Sequence, residues 1–192
     1  MKYTKIENKL KKVLSEKRYE HTLGVSFTSV CLAMKYGEDI DKARIAGLLH
    51  DCAKYLDDDK LISLCQKYDL GISESEKKSP YLLHGKVGAL IARKKFQIED
   101  EDIINAITYH TTGRIGMSLL EKIVFIADYI EPQREEIPNL ALIRKTAFED
   151  IDLCLIKIFE NTFNYLKANN KEIDSTATEA YDYYLKENVI NV

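Results

Sequence analysis

The chain contains four histidines, His21, His50, His84 and His110, and His50 is followed directly by an aspartate in LLHDCAK. Eighteen residues after the last histidine comes Asp128, inside the apolar stretch EKIVFIADYIEP. Aspartate is a poor helix-interior residue and costly to bury without a partner. Between Ala127 and Ile130 it needs either a cationic side chain or a metal ion. Neighbouring residues on a helix point about 100° apart, so at a helix end His50 and Asp51 can both reach one ion, or Asp51 can bridge two. Two histidines and two carboxylates (His21, His50, Asp51, Asp128) drawn from three helices suit a divalent ion such as iron, manganese or magnesium. They suit structural zinc less well, because that ion prefers closed, cysteine-rich sites. A single histidine on an apolar face is more often a satisfied core residue than a ligand. The joint pattern is what favours a metal.

Cations accompany these residues. Arg18 lies three residues before His21 and Lys54 four after His50, each on the same helical face as its histidine. A cation beside a metal ligand repels the metal, unless an anionic phosphate bridges the two. A solvated surface pair is the plain alternative. Arg134 follows the helix stop at Pro132 and is free to reach into a cleft. Residues 171–176, which include Asp174, Ser175 and Thr176, precede the last helix, whose N-terminal N–H groups favour an anionic oxygen. For Tyr181, spacing alone makes packing as good an account as ligand contact.

The elements that must position these residues are helical. Only 3 Pro and 8 Gly occur in 192 residues, too few for a strand-and-turn architecture. Apolar periodicity predicts helices at 3–17, 18–36, 42–55, 57–69, 80–95, 99–111, 118–130, 139–148, 149–169 and from 176 to about 187. Gly37 stops the second and Asp41 is the expected cap of the third. Ser118 with Glu121, and Thr176 with Glu179, form capping-box patterns. The polar stretch GISESEKKSP, 71–80, is the best loop. No repeat or domain linker interrupts the chain, so a single all-α bundle spanning 1–192 is expected.

Composition bounds the partners. With 45% hydrophobic and 31% charged residues, the profile is that of a soluble globular protein. A net charge of −3 offers no general nucleic-acid affinity, though it permits a small phosphorylated ligand. No apolar run is long enough for a membrane span, and the first residues, MKYTKIENKLKKVL, lack a signal-peptide pattern. Cys31, Cys52, Cys65 and Cys154 form no CxxC pair and suit free thiols in a reducing cytoplasm, three of them in the core. A cytoplasmic location follows as an expectation. The apolar stripe of 3–17 is suited either to internal packing or to a homodimer face.

The order His21, His50-Asp51, Asp128 resembles the H…HD…D signature of the all-helical HD-domain phosphohydrolase superfamily. RYEHTLGV (18–25), AGLLHDCAK (46–54), LLHGKVGA (82–89), ITYHTTGR (107–114), IVFIADYIEPQR (123–134) and IDSTATEAYDYYL (173–185) are similar to its symmetrical bis(5'-nucleosyl)-tetraphosphatase branch. The resemblance covers nearly the whole chain. It implies symmetric cleavage of diadenosine tetraphosphate to two ADP. It also implies iron on His21, His50, Asp51 and Asp128, and nucleotide contacts at Arg18, Lys54, His84, His110, Thr111, Arg134, the 171–176 loop and Tyr181. His84 and His110 resemble the extra histidines of HD proteins with a two-metal site, a resemblance that implies second-metal ligands or proton donors. Other HD nucleotidase substrates, or a nucleotide-binding regulator without turnover, are the competing expectations.

Overall fold

A computed structural model describes residues 2–190, and among them every regular element is helical. The α-helices are α1 (Lys2–Leu10), α2 (Glu16–Tyr36), α3 (Ile40–Leu49), α4 (Asp58–Lys67), α5 (Glu74–Lys78), α6 (His84–Phe96), α7 (Glu101–Tyr109), α8 (Leu119–Ile130), α9 (Leu140–Thr146), α10 (Ile151–Ala168) and α11 (Ser175–Ile190). A 3-10 turn, Pro80–Leu83, leads into α6. None of these helices is long and apolar enough to cross a membrane.

One continuous core runs from Ile6 on α1 to Tyr184 on α11. Its centre is α8, whose Ile123, Val124, Ile126 and Ala127 are fully buried. Helix α8 packs against α2, α3, α7 and α10, while α6 lies on α7 and α11 closes over α10. Near the histidines, α6 and α7 come close at Gly85. A Cβ added there would stand 2.5 Å from the Thr108 carbonyl oxygen, so only glycine permits the contact.

Local chemistry sets the boundaries. Helix α2 starts where Ser15 accepts the Arg18 N–H and ends at Gly37, in the left-handed region at φ 78°. The expected helix 3–17 is therefore divided, with α1 ending at Leu10. The cap of α3 is Asp39, not Asp41: its carboxylate takes the N–H groups of Asp41 and Lys42, and Asp41 instead accepts the Tyr3 hydroxyl. The stretch 71–80 holds a short helix, α5, opened by a Ser73–Glu76 capping box. The Ser118–Glu121 box forms as expected. At α11 it is Asp174 that accepts from Thr176 and Ala177, so Thr176 lies inside the helix rather than capping it.

Candidate metal centre

The four histidines come from separate elements and converge. His21 is in the interior of α2. His50, His84 and His110 sit at the C-terminal caps of α3, the 3-10 turn and α7. A carbonyl oxygen can only accept, so the ring nitrogen facing it must carry the proton. His50 Nδ1 donates to Gly47 O at 2.7 Å, His84 Nδ1 to Tyr81 O at 2.5 Å and His110 Nδ1 to Ile107 O at 2.7 Å. All three Nε2 atoms are thereby left with outward lone pairs.

The lone pairs of His84 and His110 meet each other, and that of His50 points at His21. His84 Nε2 lies 3.0 Å from His110 Nε2, and His50 Nε2 lies 3.4 Å from His21 Nε2. Two bare nitrogens this close repel unless a proton or cation is shared between them. Protonation is disfavoured at two of the rings: burial pulls the His50 pKa down to about 4 and also lowers that of His84. The Thr111 hydroxyl reaches both His84 and His110, at 3.2 and 3.1 Å, but holds a single proton.

Asp51 sits at the centre, 2% exposed. Its Oδ2 is 2.7 Å from Arg18 Nη1, 3.5 Å from His50 Nε2 and 3.9 Å from His21 Nε2. Its Oδ1 faces His84 Nε2 at 3.3 Å and His110 Nε2 at 3.5 Å, yet it accepts no hydrogen bond. A buried carboxylate oxygen left without a donor is costly, and a cation removes that cost. Asp128 completes the group, with Oδ1 3.0 Å from His21 Nε2 and 3.8 Å from His50 Nε2. Burial opposes the charged forms of both aspartates, but the histidines outweigh it and hold both carboxyls well below the usual carboxylate range. Burial likewise works against a charged His21, whereas Asp128, Glu131 and Asp51 together raise its pKa.

Three overlapping sets of ligand atoms result, each within 4.8 Å: His21, His50 and Asp51; His50, His110 and Asp128; Asp51, His84 and His110. Nitrogen and carboxylate donors in this proportion, with one undonated buried oxygen, fit a divalent cation.

The expected phosphate contacts divide. Arg18 touches Asp51 directly, and Lys54 is half-buried near it. Burial lowers the Lys54 pKa, Asp51 pushes it back up, and the charges of Arg18 and Arg134 push it down. Arg134 lies over the Tyr129 ring, 5.7 Å from its centroid. A cavity of about 110 Å³ is lined by Thr111, Leu82, Phe125, Phe159, Phe163, Ile173 and Asp174, and Thr111 joins it to the histidines. Ser175 and Thr176 do not line it. Tyr181 stacks against Phe163 and Phe159 behind it, with its hydroxyl on Glu160. A polar hollow of about 160 Å³ between α9 and α10 contains none of the candidate residues.

One residue at the site escaped the sequence reasoning. Glu131, 1% exposed, brings Oε1 to 3.2 Å from His21 Nδ1. The available signal was its spacing, three residues after Asp128 and therefore on the same face of α8.

The HD domain family model matches residues 18–133. The chain is 40% identical over 174 residues to the symmetrical bis(5'-nucleosyl)-tetraphosphatase of Halalkalibacterium halodurans, covering 91% of this chain and 92% of that one. It is 38% identical to the protein of the same description from Bacillus subtilis, over 85% and 87% of the two chains. A crystal structure from Clostridium acetobutylicum, of a "predicted HD superfamily hydrolase involved in NAD metabolism", superposes with a TM-score of 0.93 at 45% identity, over 96% of this chain and 97% of that one. With matches of this extent around a His/Asp cluster that supports a divalent metal, the chain belongs to the HD-domain family.

Proposed function

We propose that the chain hydrolyses diadenosine 5',5'''-P1,P4-tetraphosphate symmetrically to two ADP, with an ion, iron before manganese or magnesium, on His21, His50, Asp51 and Asp128. The observation that carries the proposal is Asp51. One of its oxygens faces undonated ring nitrogens and the other is held by Arg18, so metal ligands and phosphate-binding cations share one residue. The similarity to the symmetrical tetraphosphatases names the substrate.

A divalent ion bound there supplies an acidified water and neutralises phosphoryl charge. The chain's own residues do the rest. Arg18, on the accessible side of Asp51, exchanges its carboxylate for a phosphate of the incoming chain. Lys54 and Arg134 stabilise the charge that builds on the phosphoryl oxygens. The aromatic-floored cavity seats one adenosine between Thr111 and Asp174, with Tyr181 backing the Phe159 and Phe163 rings and Ser175 and Thr176 following Asp174 in the first turn of α11. Seating one ADP half places the β-phosphorus, and not the α, at the point of attack. His84, His110 and Asp51 Oδ1 would hold a second ion.

Protein purified without chelator, assayed for metal content and incubated with diadenosine tetraphosphate, tests the proposal. Two ADP per substrate consumed is the expected result. AMP plus ATP would rule out symmetric cleavage, and absence of ADP would overturn the function. Two ions in wild type, falling to one in His84→Ala, support the second position. One ion in wild type would assign His84 and His110 to the substrate.

A further inference from the structure

Four histidine rings must present Nε2 to one centre, and each needs its Nδ1 held. Three use the backbone. His50, His84 and His110 each sit at a helical C-terminus, where the carbonyl three residues back accepts the ring Nδ1–H; that of Tyr81 accepts the His84 backbone N–H as well. His21 has no such carbonyl, because it lies five residues inside a helix of 21 residues whose carbonyls are engaged in the helical ladder. Its Nδ1 has a side-chain partner instead, Glu131 Oε1 at 3.2 Å.

We infer that Glu131 is the positioning residue of His21: it accepts the Nδ1–H and so keeps Nε2 bare and aimed at the ion position. This rests on the metal reading of the cluster above. Three further observations support it. Glu131 is 1% exposed, and among the described residues its carboxylate has no Lys or Arg ion-pair partner, His21 being the one titratable group it faces. Its second oxygen is fixed as well, with Oε2 accepting the Gln133 N–H at 2.8 Å. Space is also kept for it, since a Cβ on Gly24 would lie 2.4 Å from Oε2.

The turn that carries Glu131 is fastened from outside. Arg144 on α9 donates from Nε to the Ile130 carbonyl at 3.0 Å and from Nη2 to the Glu131 carbonyl at 2.8 Å. Both carbonyls belong to the end of α8, where acceptors lack helical partners. Asp128 and the cap residue Glu131, three residues apart at the end of α8, therefore stand at the two edges of one imidazole: Glu131 Oε1 takes the Nδ1–H, and Asp128 Oδ1, 3.0 Å from Nε2, faces that bare nitrogen as a fellow donor to the ion position. A carboxylate behind a ligating histidine fixes the tautomer and raises ligand basicity.

The test compares Glu131→Leu, Glu131→Gln and Gly24→Ala with wild type. The readouts are ion affinity by chelator competition, kcat and KM on diadenosine tetraphosphate at saturating ion, and thermal midpoint. Glu131→Leu removes the acceptor and lowers ion affinity by about 10- to 100-fold, with kcat reduced and KM within about twofold of wild type. Glu131→Gln keeps an acceptor oxygen and recovers most of that affinity. Gly24→Ala displaces the carboxylate without deleting it and gives a loss in the same direction, which guards against failure of the Leu variant to fold. Wild-type ion affinity in both folded Glu131→Leu and Gly24→Ala overturns the inference while leaving the ion site intact. A wild-type protein that binds no ion overturns both, and the two failures are thereby distinguished.

Discussion

At the scale of single residues, the site is organised by shared atoms. Asp51 uses one oxygen for Arg18 and the His21–His50 pair and the other for His84 and His110, so no other side chain touches as much of the site. Asp51→Ala is therefore expected to abolish ion binding and turnover together, measured by metal analysis and by ADP release. Normal activity in that variant would remove the proposed site. His84→Ala breaks only one half and should leave one ion behind. The cysteines illustrate the opposite condition, side chains with no chemistry to perform. Cys52, Cys65 and Cys154 are buried, and burial pushes the thiols of Cys52 and Cys154 up to about 12. Cys31 is exposed on α2. A native sample should label with maleimide at Cys31 alone and at all four cysteines in denaturant, because the thiolate is the reactive form and must be accessible. Fast labelling of Cys52 in the native protein would contradict the packing around Asp51.

At the scale of elements, apolar periodicity makes most helices legible, and the Ser118–Glu121 pair marks the start of α8 correctly because both halves of a capping box are local. The helix ends around the site are not legible in that way. The apolar pattern runs on to residue 55, yet α3 stops at Leu49, because His50 Nδ1 takes the Gly47 carbonyl that a continuing helix would give to the N–H of Asp51. The order of His21, His50-Asp51 and Asp128 marks the proposed ligand set, whereas the backbone contacts that turn three of the rings inward depend on packing, and the spacing of Glu131 from Asp128 puts it on their face without showing that it meets His21. Gly85 belongs to that hidden part. Gly85→Ala places a Cβ 2.5 Å from backbone at Thr108, and neither helix can yield without moving His84 away from His110. A loss of about 1–3 kcal/mol in urea unfolding is expected, together with a drop in ion stoichiometry. Wild-type stability with both His84 and His110 still binding would show that α6 and α7 are not locked at this point.

At the scale of the whole molecule, the buried His50 and His84, whose charged forms are disfavoured by burial, tie global stability to pH. The folded His50 titrates near 4, below its value in an unfolded chain of about 6.5, so between these values the unfolded state binds the extra proton. Stability from His50 is therefore present above about pH 6.5 and is lost as pH falls toward 4. His84 acts in the same direction, since burial lowers its pKa too. His21 opposes both: its raised pKa contributes stability at low pH that is lost as pH rises through the folded value. Asp51 and Asp128, held low, begin to matter only below the ordinary carboxylate range of about 4. Chelator-treated protein should accordingly lose about 2 kcal/mol through His50 between about pH 7 and about pH 5, and His50→Leu should flatten that slope. Saturating divalent ion should raise the unfolding midpoint at the higher pH more than at the lower, because protons compete for the same Nε2 atoms. Urea titrations at the two pH values, with and without ion, measure both effects. An equal pH slope in metal-free wild type and His50→Leu would mean that His50 is charged or open to water in the folded chain, and the buried, cation-requiring cluster would not exist in solution.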